Sequence, residues 1–462
     1  MENTSSVISH DAAGIAFLEF DYVGRIPGTN DRGEIAKYEC MRRPKAGRLV
    51  QNAIALIISG AGSGAIGIVF WAVAAHSASE ATIGRTSAEI SGMMLLATLA
   101  QLSFGSSFER FLPVAGTQTR TFVKRAYVTC TSVGLVLAVA YVAFGFSHSF
   151  LPKTLGWRAL FVGSVVIWTV FSLQDSVLIG LRSSKLVPVE NISYSIVKLA
   201  LIPAFIVVSK TEGILLAWIV PVIALIIAVN WYLFRKRIPE HAANSTASEA
   251  LPSARELFSL TGAQYATLLI TVGTSSVITL VVIDRLGAVA SAHYYLPAQI
   301  AGGVATAIWS IDRSFLVEAS ADRHYLRRHA KSALRVGLVV LGASILFGEI
   351  FAPEILRIFG ASYASTGTTL LRLMLLSLPG GAITAFYSSF AWIDRRVWIL
   401  TVRELAATIV LFALIFAFIG HFGILAIGIA SVIESGVQGA LFLPILIKRY
   451  RMMPPTPVAD EI

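Results

Sequence analysis

Long apolar runs follow one another along the chain with only short polar turns between them, and that spacing leaves few architectures open. About 20 mainly apolar residues at 1.5 Å per residue cover a hydrocarbon layer of roughly 30 Å. Inside lipid the backbone has no water to bond, so such runs must be helices that satisfy their own peptide groups. The runs lie near 52–75, 88–107, 124–146, 159–181, 187–208, 213–234, 259–283, 290–311, 332–352, 368–392, 397–419 and 422–447. They predict an all-α polytopic membrane protein of about twelve transmembrane helices. Composition agrees: 55% of residues are hydrophobic, 14% are charged and the mean hydropathy is +0.73, far from a soluble globular chain.

Charge sets the expected orientation. Arg42, Arg43, Lys45 and Arg48 precede the first run, and clusters at Arg110 to Arg125, Arg182 and Lys185, Arg235 to Arg237, Arg313 to Lys331, Arg395 and Arg396, and Lys448 to Arg451 fall in alternate connections. The intervening connections hold only Arg85, Lys153, Arg158, Lys210, Arg285 and Arg357. By the positive-inside rule the basic side is cytoplasmic, which predicts both termini inside. The net charge of +10 is read as this topology signal and not as nucleic-acid binding.

Five segments are expected. Residues 1–41 are acidic, lack a signal-peptide core and read as a disordered cytoplasmic tail, with Met41 as an alternative start directly before a basic flank. Residues 42–234 form a first six-helix lobe, 235–257 a polar cytoplasmic linker, 258–448 a second six-helix lobe, and 449–462 a cytoplasmic tail. The lobes echo each other: Glu109 and Arg110 correspond to Asp312 and Arg313, with further basic residues at matching offsets, and Arg182 and Glu190 correspond to Arg396 and Glu404. Six spans per half insert both halves the same way up, so the repeat is parallel and pseudo-symmetric about the membrane normal. Such lobes usually enclose a central cavity, and one chain that holds both makes a monomer the expectation.

Catalysis finds no support. Gly62, Gly64 and Gly67 spell GxGxxG, but inside an apolar run with no preceding strand; no GxxxxGK[ST] or HExxH occurs. The eight histidines show no ligand spacing, and Cys40 and Cys130 form no framework, so neither a metal nor a cofactor is expected. What remains is charge at membrane depth, which insertion scales penalise by about 2.5–3.5 kcal/mol at a helix centre and which therefore marks function or pairing. Asp175, Lys198, Arg372 and Glu434 are the deepest candidates for substrate contact or ion coupling; Glu190, Arg335, Arg403 and Glu404 carry lower weight. Asp175 lies about 10 Å and Lys198 about 16 Å from the cytoplasmic edge. The lysine could therefore reach the acid, leaving a structural pair, substrate contact and proton coupling as open readings. Arg372 and Glu434 pose the same choice, as partners of each other or as cavity lining. A positive cavity would suit an anionic, pyrophosphate-linked lipid.

The runs LQDSVLIGLRSSKLVPVENISYSIVK and FAPEILRIFGASYASTGTTLLRLMLLSLP resemble bacterial polysaccharide biosynthesis proteins of the oligosaccharide flippase type. Those belong to the superfamily that also holds multidrug and toxin extrusion transporters and lipid II flippases. The resemblance, over about 41–450, implies two six-helix bundles in a V in a bacterial cytoplasmic membrane. It also implies translocation of an undecaprenyl-pyrophosphate-linked glycan by alternating access, with a glycan polymerase and glycosyltransferases as partners. A cation-coupled drug or small-metabolite exporter is the alternative. Exporters of that kind commonly use a carboxylate on the first helix, and residues 52–75 contain none. Proton, sodium and membrane-potential coupling all fit the sequence.

Overall fold

The computed structural model describes residues 64–244, 254–321, 326–394 and 397–453. The expected N-terminal tail with Met41, the start of the first apolar run, positions 245–253 of the linker and the end of the C-terminal tail lie outside the described residues. Among the described residues the regular elements are all helical. They are α1 (Gly64–Ser77), α2 (Glu80–Ala100), α3 (Phe104–Phe111), α4 (Thr119–Ala143), α5 (Leu155–Gly180), α6 (Leu186–Val208), α7 (Gly213–Tyr232) and α8 (Ile238–Asn244). The second half contains α9 (Ala254–Leu286), α10 (Ala288–Ala321), α11 (Leu326–Arg357), α12 (Ala361–Ile393), α13 (Val397–Phe422) and α14 (Leu425–Met452).

Among the described residues nine helices are long and apolar enough to span a membrane, or ten when α2 and α3, bent by 52° at their junction, count as one. The two expected runs that fall short have separate reasons. Only the part of the first from Gly64 is described. The other falls on α10, which has ample length at 34 residues but is interrupted by polar side chains such as Ser291, His293, Gln299, Thr306 and Ser310.

The packing pattern repeats. In the first half α5 is central, touching α2, α3, α4, α6 and α7, while α2 meets α4 and α6 meets α7. In the second half α12 plays the same part with α10, α11, α13 and α14, while α10 meets α11 and α13 meets α14. Each five-helix core, with α2 and α3 counted as one, thus recurs with its helices in the same order. The expected polar linker differs from the prediction at its start. After a π turn over Leu233–Arg237, α8 folds back onto the first lobe, where Leu233 and Ile238 are buried, Arg237 Nε donates to Ser183 Oγ at 2.8 Å and His241 Nε2 lies 2.9 Å from the Leu112 carbonyl.

The lobes meet where α2 packs against α9 and α10. Small residues allow a close backbone approach: a Cβ on Gly84 would lie 1.7 Å from the Ala288 carbonyl oxygen. Nearby, the Ser87 and Ser291 hydroxyls are 3.4 Å apart. Farther along α2, Tyr265 donates to the Leu99 carbonyl at 2.8 Å, and Trp71 of α1 meets Tyr295 of α10 at a ring separation of 4.9 Å. Beyond this seam α10 is uncovered on one face, where Gln299, Thr306 and Arg313, seven residues apart and hence aligned, are exposed.

Candidate functional site

A tight turn at Arg182, whose φ is 55°, folds α6 back along α5. The end of α5 thereby meets the start of α6, and Gln174 and Asp175 come beside Glu190 and Asn191. Gln174, fully buried, donates through Nε2 to Glu190 Oε1 and accepts from Asn230 Nδ2 of α7 at 2.8 Å. Glu190 is 5% exposed. Asp175 lies next to Asn191, and Tyr127 of α4 lies within electrostatic reach of both carboxylates. Four helices thus contribute to one buried polar knot. It is incompletely satisfied: Asp175 Oδ1, Glu190 Oε2 and Asn230 Oδ1 are sealed from solvent with no hydrogen-bond partner among the described residues, and so is the Tyr127 hydroxyl. Among the described residues no lysine or arginine forms an ion pair with either acid. Buried carboxylates of this kind call for a proton or a bound cation.

The structure does not pair Asp175 with Lys198. The two face different neighbours, because Lys198 lies two further turns along α6 and points into an aromatic box. Its ammonium sits 3.8 Å above the ring of Trp218, 4.8 Å from Tyr194 and 5.0 Å from Phe70, and the residue is 5% exposed. Cation–π attraction replaces the expected counter-ion. Trp168 and Phe171 extend the aromatic wall.

Arg372 and Glu434 are not partners either. Arg372 forks onto the Glu349 carbonyl, through Nε at 3.0 Å and Nη2 at 2.7 Å, with its Nε 3.5 Å from the Glu349 carboxylate, and so straps α12 to α11. Glu434 accepts from Gln438 one turn along α14. Arg403 donates to Glu404 Oε2 at 2.6 Å and to the Thr384 carbonyl at 3.3 Å, within electrostatic reach of Glu434. Arg335 stands exposed on α11.

A scan for charge in the middle of apolar runs missed the neutral members of the first knot, Gln174, Asn191 and Asn230. It also missed Glu89 on α2, which is 1% exposed and lies within electrostatic reach of Glu212, the residue preceding α7, and of Arg85. Glu89 falls near the edge of its predicted run, yet Glu212 shows how far inside the molecule that edge lies, being 4% exposed.

No protein-family profile and no curated protein matches the chain. Solved structures do. A MATE multidrug transporter, DinF-BH, solved with a bound ligand, superposes with a TM-score of 0.61 at 14% identity, over 87% of this chain and 96% of that one. A multidrug resistance MATE family transporter of the MOP superfamily matches in its inward-facing conformation (TM-score 0.60, 16% identity, 86% of this chain and 94% of that one). The outward-facing conformation of a MATE family transporter of the same superfamily also matches (TM-score 0.58, 16% identity, 87% and 96%). The chain has the fold of the MATE transporters.

Within this MATE fold the two polar clusters occupy corresponding helices. Gln174, Glu190 and Asn230 come from the fourth, fifth and sixth long helices of the first half, α5, α6 and α7; Thr384, Glu404 and Gln438 come from α12, α13 and α14 of the second. The difference is charge balance. The second cluster contains its own cation, Arg403, whereas the first holds two carboxylates and none. In this MATE-like scaffold the first lobe therefore carries the unbalanced site.

Proposed function

We propose that the chain is an alternating-access transporter of a bacterial cytoplasmic membrane. Its proposed cargo is an undecaprenyl-pyrophosphate type lipid-linked oligosaccharide or related precursor, moved for cell-surface polysaccharide synthesis. The observation that carries the transport reading is the seam: α2 and α10 meet closely at Gly84 and Ala288, while the polar face of α10 beyond that contact stands uncovered. A polar face in an otherwise lipid-facing helix is unfavourable unless it lines a water-filled cavity. In this reading the chain has twelve spans with both termini inside and the uncovered end of α10 faces the cytoplasm, which the alternation of basic and basic-poor loops supports. Reporter fusions in the loops near 85, 153, 210, 285 and 357 test this; a cytoplasmic signal at several of them refutes it.

The glycan-lipid reading rests on the sequence resemblance, supported by a cationic group backed by an aromatic wall, Lys198 with Trp218, Trp168 and Tyr194. Such groups suit a pyrophosphate and a sugar respectively. In the same reading the knot around Asp175 and Glu190 accepts a coupling proton or monovalent cation, and Arg372 and Glu434 serve the second lobe. Deleting the gene should make lipid-linked oligosaccharide accumulate on the cytoplasmic face. Normal surface glycan with altered drug sensitivity would instead establish the second reading, a cation-coupled exporter. That reading is favoured by the similarity to transporters described as multidrug transporters.

A further inference from the structure

Glu80, the first residue of α2, reaches across the seam into the second lobe. Ser362, the second residue of α12, donates its hydroxyl to Glu80 Oε1. His293 of α10 places Nε2 3.2 Å from Ser362 Oγ and 3.3 Å from Glu80 Oε2. The bond directions follow from the available protons. The serine hydroxyl has one hydrogen and gives it to Glu80, and an ionised carboxylate has none to give, so His293 Nε2 must carry a proton and donate. The Tyr363 ring stands edge-on to the imidazole with centroids 5.0 Å apart and holds it in that plane.

The position of these three residues gives them a role. They come from one helix of the first lobe and two of the second: Glu80 lies one turn before Gly84 at the start of α2, Ser362 lies at the start of α12, and His293 directly follows Ala292, whose nitrogen is 3.1 Å from the Cβ position of Gly84. A second cross-lobe contact lies at the same end, where Ser149, between α4 and α5, donates to Asp284 Oδ1 at 2.9 Å. Elsewhere in the seam Ile83, Ala88 and Ala292 are sealed from water, and so are the facing hydroxyls of Ser87 and Ser291. The polar trio is open to water on one side instead, since the Glu80 side chain is 35% exposed while that of His293 is 9% exposed. Groups placed like this are rehydrated when they part, so their contact can be made and broken repeatedly.

We infer that Glu80, His293 and Ser362 form a gate clasp that holds the lobes shut at this end and must open for cargo to pass. The inference rests on the alternating-access reading. It assigns a specific cross-lobe contact to the closed state, independent of which cargo is moved.

The test uses the full-length protein in lipid nanodiscs, with Cys40 and Cys130 replaced by alanine and spin labels at two exposed positions, Ser77 and Thr366, one in each lobe. Electron–electron distance measurements on the parent should show a shorter, closed population. Glu80→Ala and His293→Ala should each shift the distribution toward longer separations, and the double variant should shift it no further than the larger single one, as expected of residues acting together. Unchanged distributions in correctly folded variants would overturn the clasp. If the alanine variants fail to fold, Glu80→Cys with Ser362→Cys keeps the question open to test. Joining the two thiols with a short reducible cross-linker should abolish transport, reductant should restore it, and full transport in the cross-linked protein would overturn the proposal. A single population in the parent and every variant alike would count against alternating access itself. Two populations in the parent that ignore the variants would count against the clasp alone.

Discussion

Ser87 and Ser291 face each other across the lobe seam with hydroxyl oxygens 3.4 Å apart, and they stand at nearly the same offset that separates Glu109 from Asp312. Equivalent positions of a repeat touch each other only on the two-fold axis that relates them. The axis of this molecule therefore passes between α2 and α10. The echo extends to the ends of these helices: Ser176 donates to Glu109 Oε1 at 3.4 Å, and Ser389 donates to Asp312 Oδ1 at 2.8 Å.

Gly84 should tolerate no side chain. Gly84→Ala sets a methyl group against the Ala288 carbonyl, where backbone leaves no flexible atom to yield, and overpacking of this sort costs about 1–3 kcal/mol. A lower thermal unfolding midpoint in detergent is expected. Gly303→Ala, with nothing within 4 Å of the added atom, is the matched control inside a helix and should not lower the midpoint.

The chain from Asn230 through Gln174 to Glu190 should behave as one unit. Asn230→Leu removes the donor to Gln174 Oε1 and strands it in the interior, a loss of about 1–3 kcal/mol. Gln174→Leu breaks both links. Urea or thermal unfolding of the two single variants and the double should show the double falling short of their sum.

Lys198→Met is expected to keep or raise stability, because a buried cation without an ionic partner is replaced by an apolar chain of similar length. Transport should be lost. The exchange Asp175→Lys with Lys198→Asp should fail to restore it, since each site would then hold the wrong group. Recovery of transport in the exchanged protein would show that the two residues do meet during the cycle.

Arg372 should matter more than its acidic neighbour. Both of its hydrogen bonds end on the Glu349 main-chain oxygen, so Glu349→Gln should change stability by no more than about 0.5 kcal/mol. Arg372→Lys loses the planar fork that makes two bonds to one oxygen and should lower the unfolding midpoint measurably.

The apolar runs and their short turns made the helices legible, because a lipid-facing helix must be apolar along its whole length and any interruption shows. The repeat was legible for a related reason: Glu109 with Arg110, and Asp312 with Arg313, mark helix ends in both halves. Partnerships were harder. On length alone the Lys198 side chain could bridge to Asp175, but Asp175 lies beside Asn191, Lys198 lies two turns farther along the same face of α6, and its ammonium turns toward Trp218. Gln174 and Asn230 escaped notice because an amide in an apolar run carries no charge to flag it, although it needs partners just as strictly. Glu80, His293 and Ser362 could not be grouped from sequence, being far apart in the chain and brought together only by the meeting of the lobes.

The junction of α2 and α3 has a mechanical consequence. Leu102 and Ser103 both adopt positive φ, 47° and 66°, a conformation that disfavours non-glycine residues by roughly 1–3 kcal/mol each and that separates two stiff rods at 52°. α2 is braced by the opposite lobe at Gly84, whereas α3 is bonded to its own lobe through Glu109 and Ser176 and meets the opposite lobe where the Ser107 and Thr261 hydroxyls are 3.3 Å apart. A straight rod would act as a lever and force both ends to tilt together. With an elbow at Leu102, a tilt imposed on α2 at Gly84 need not be passed on to α3 at Glu109, so the two contacts can be strained independently.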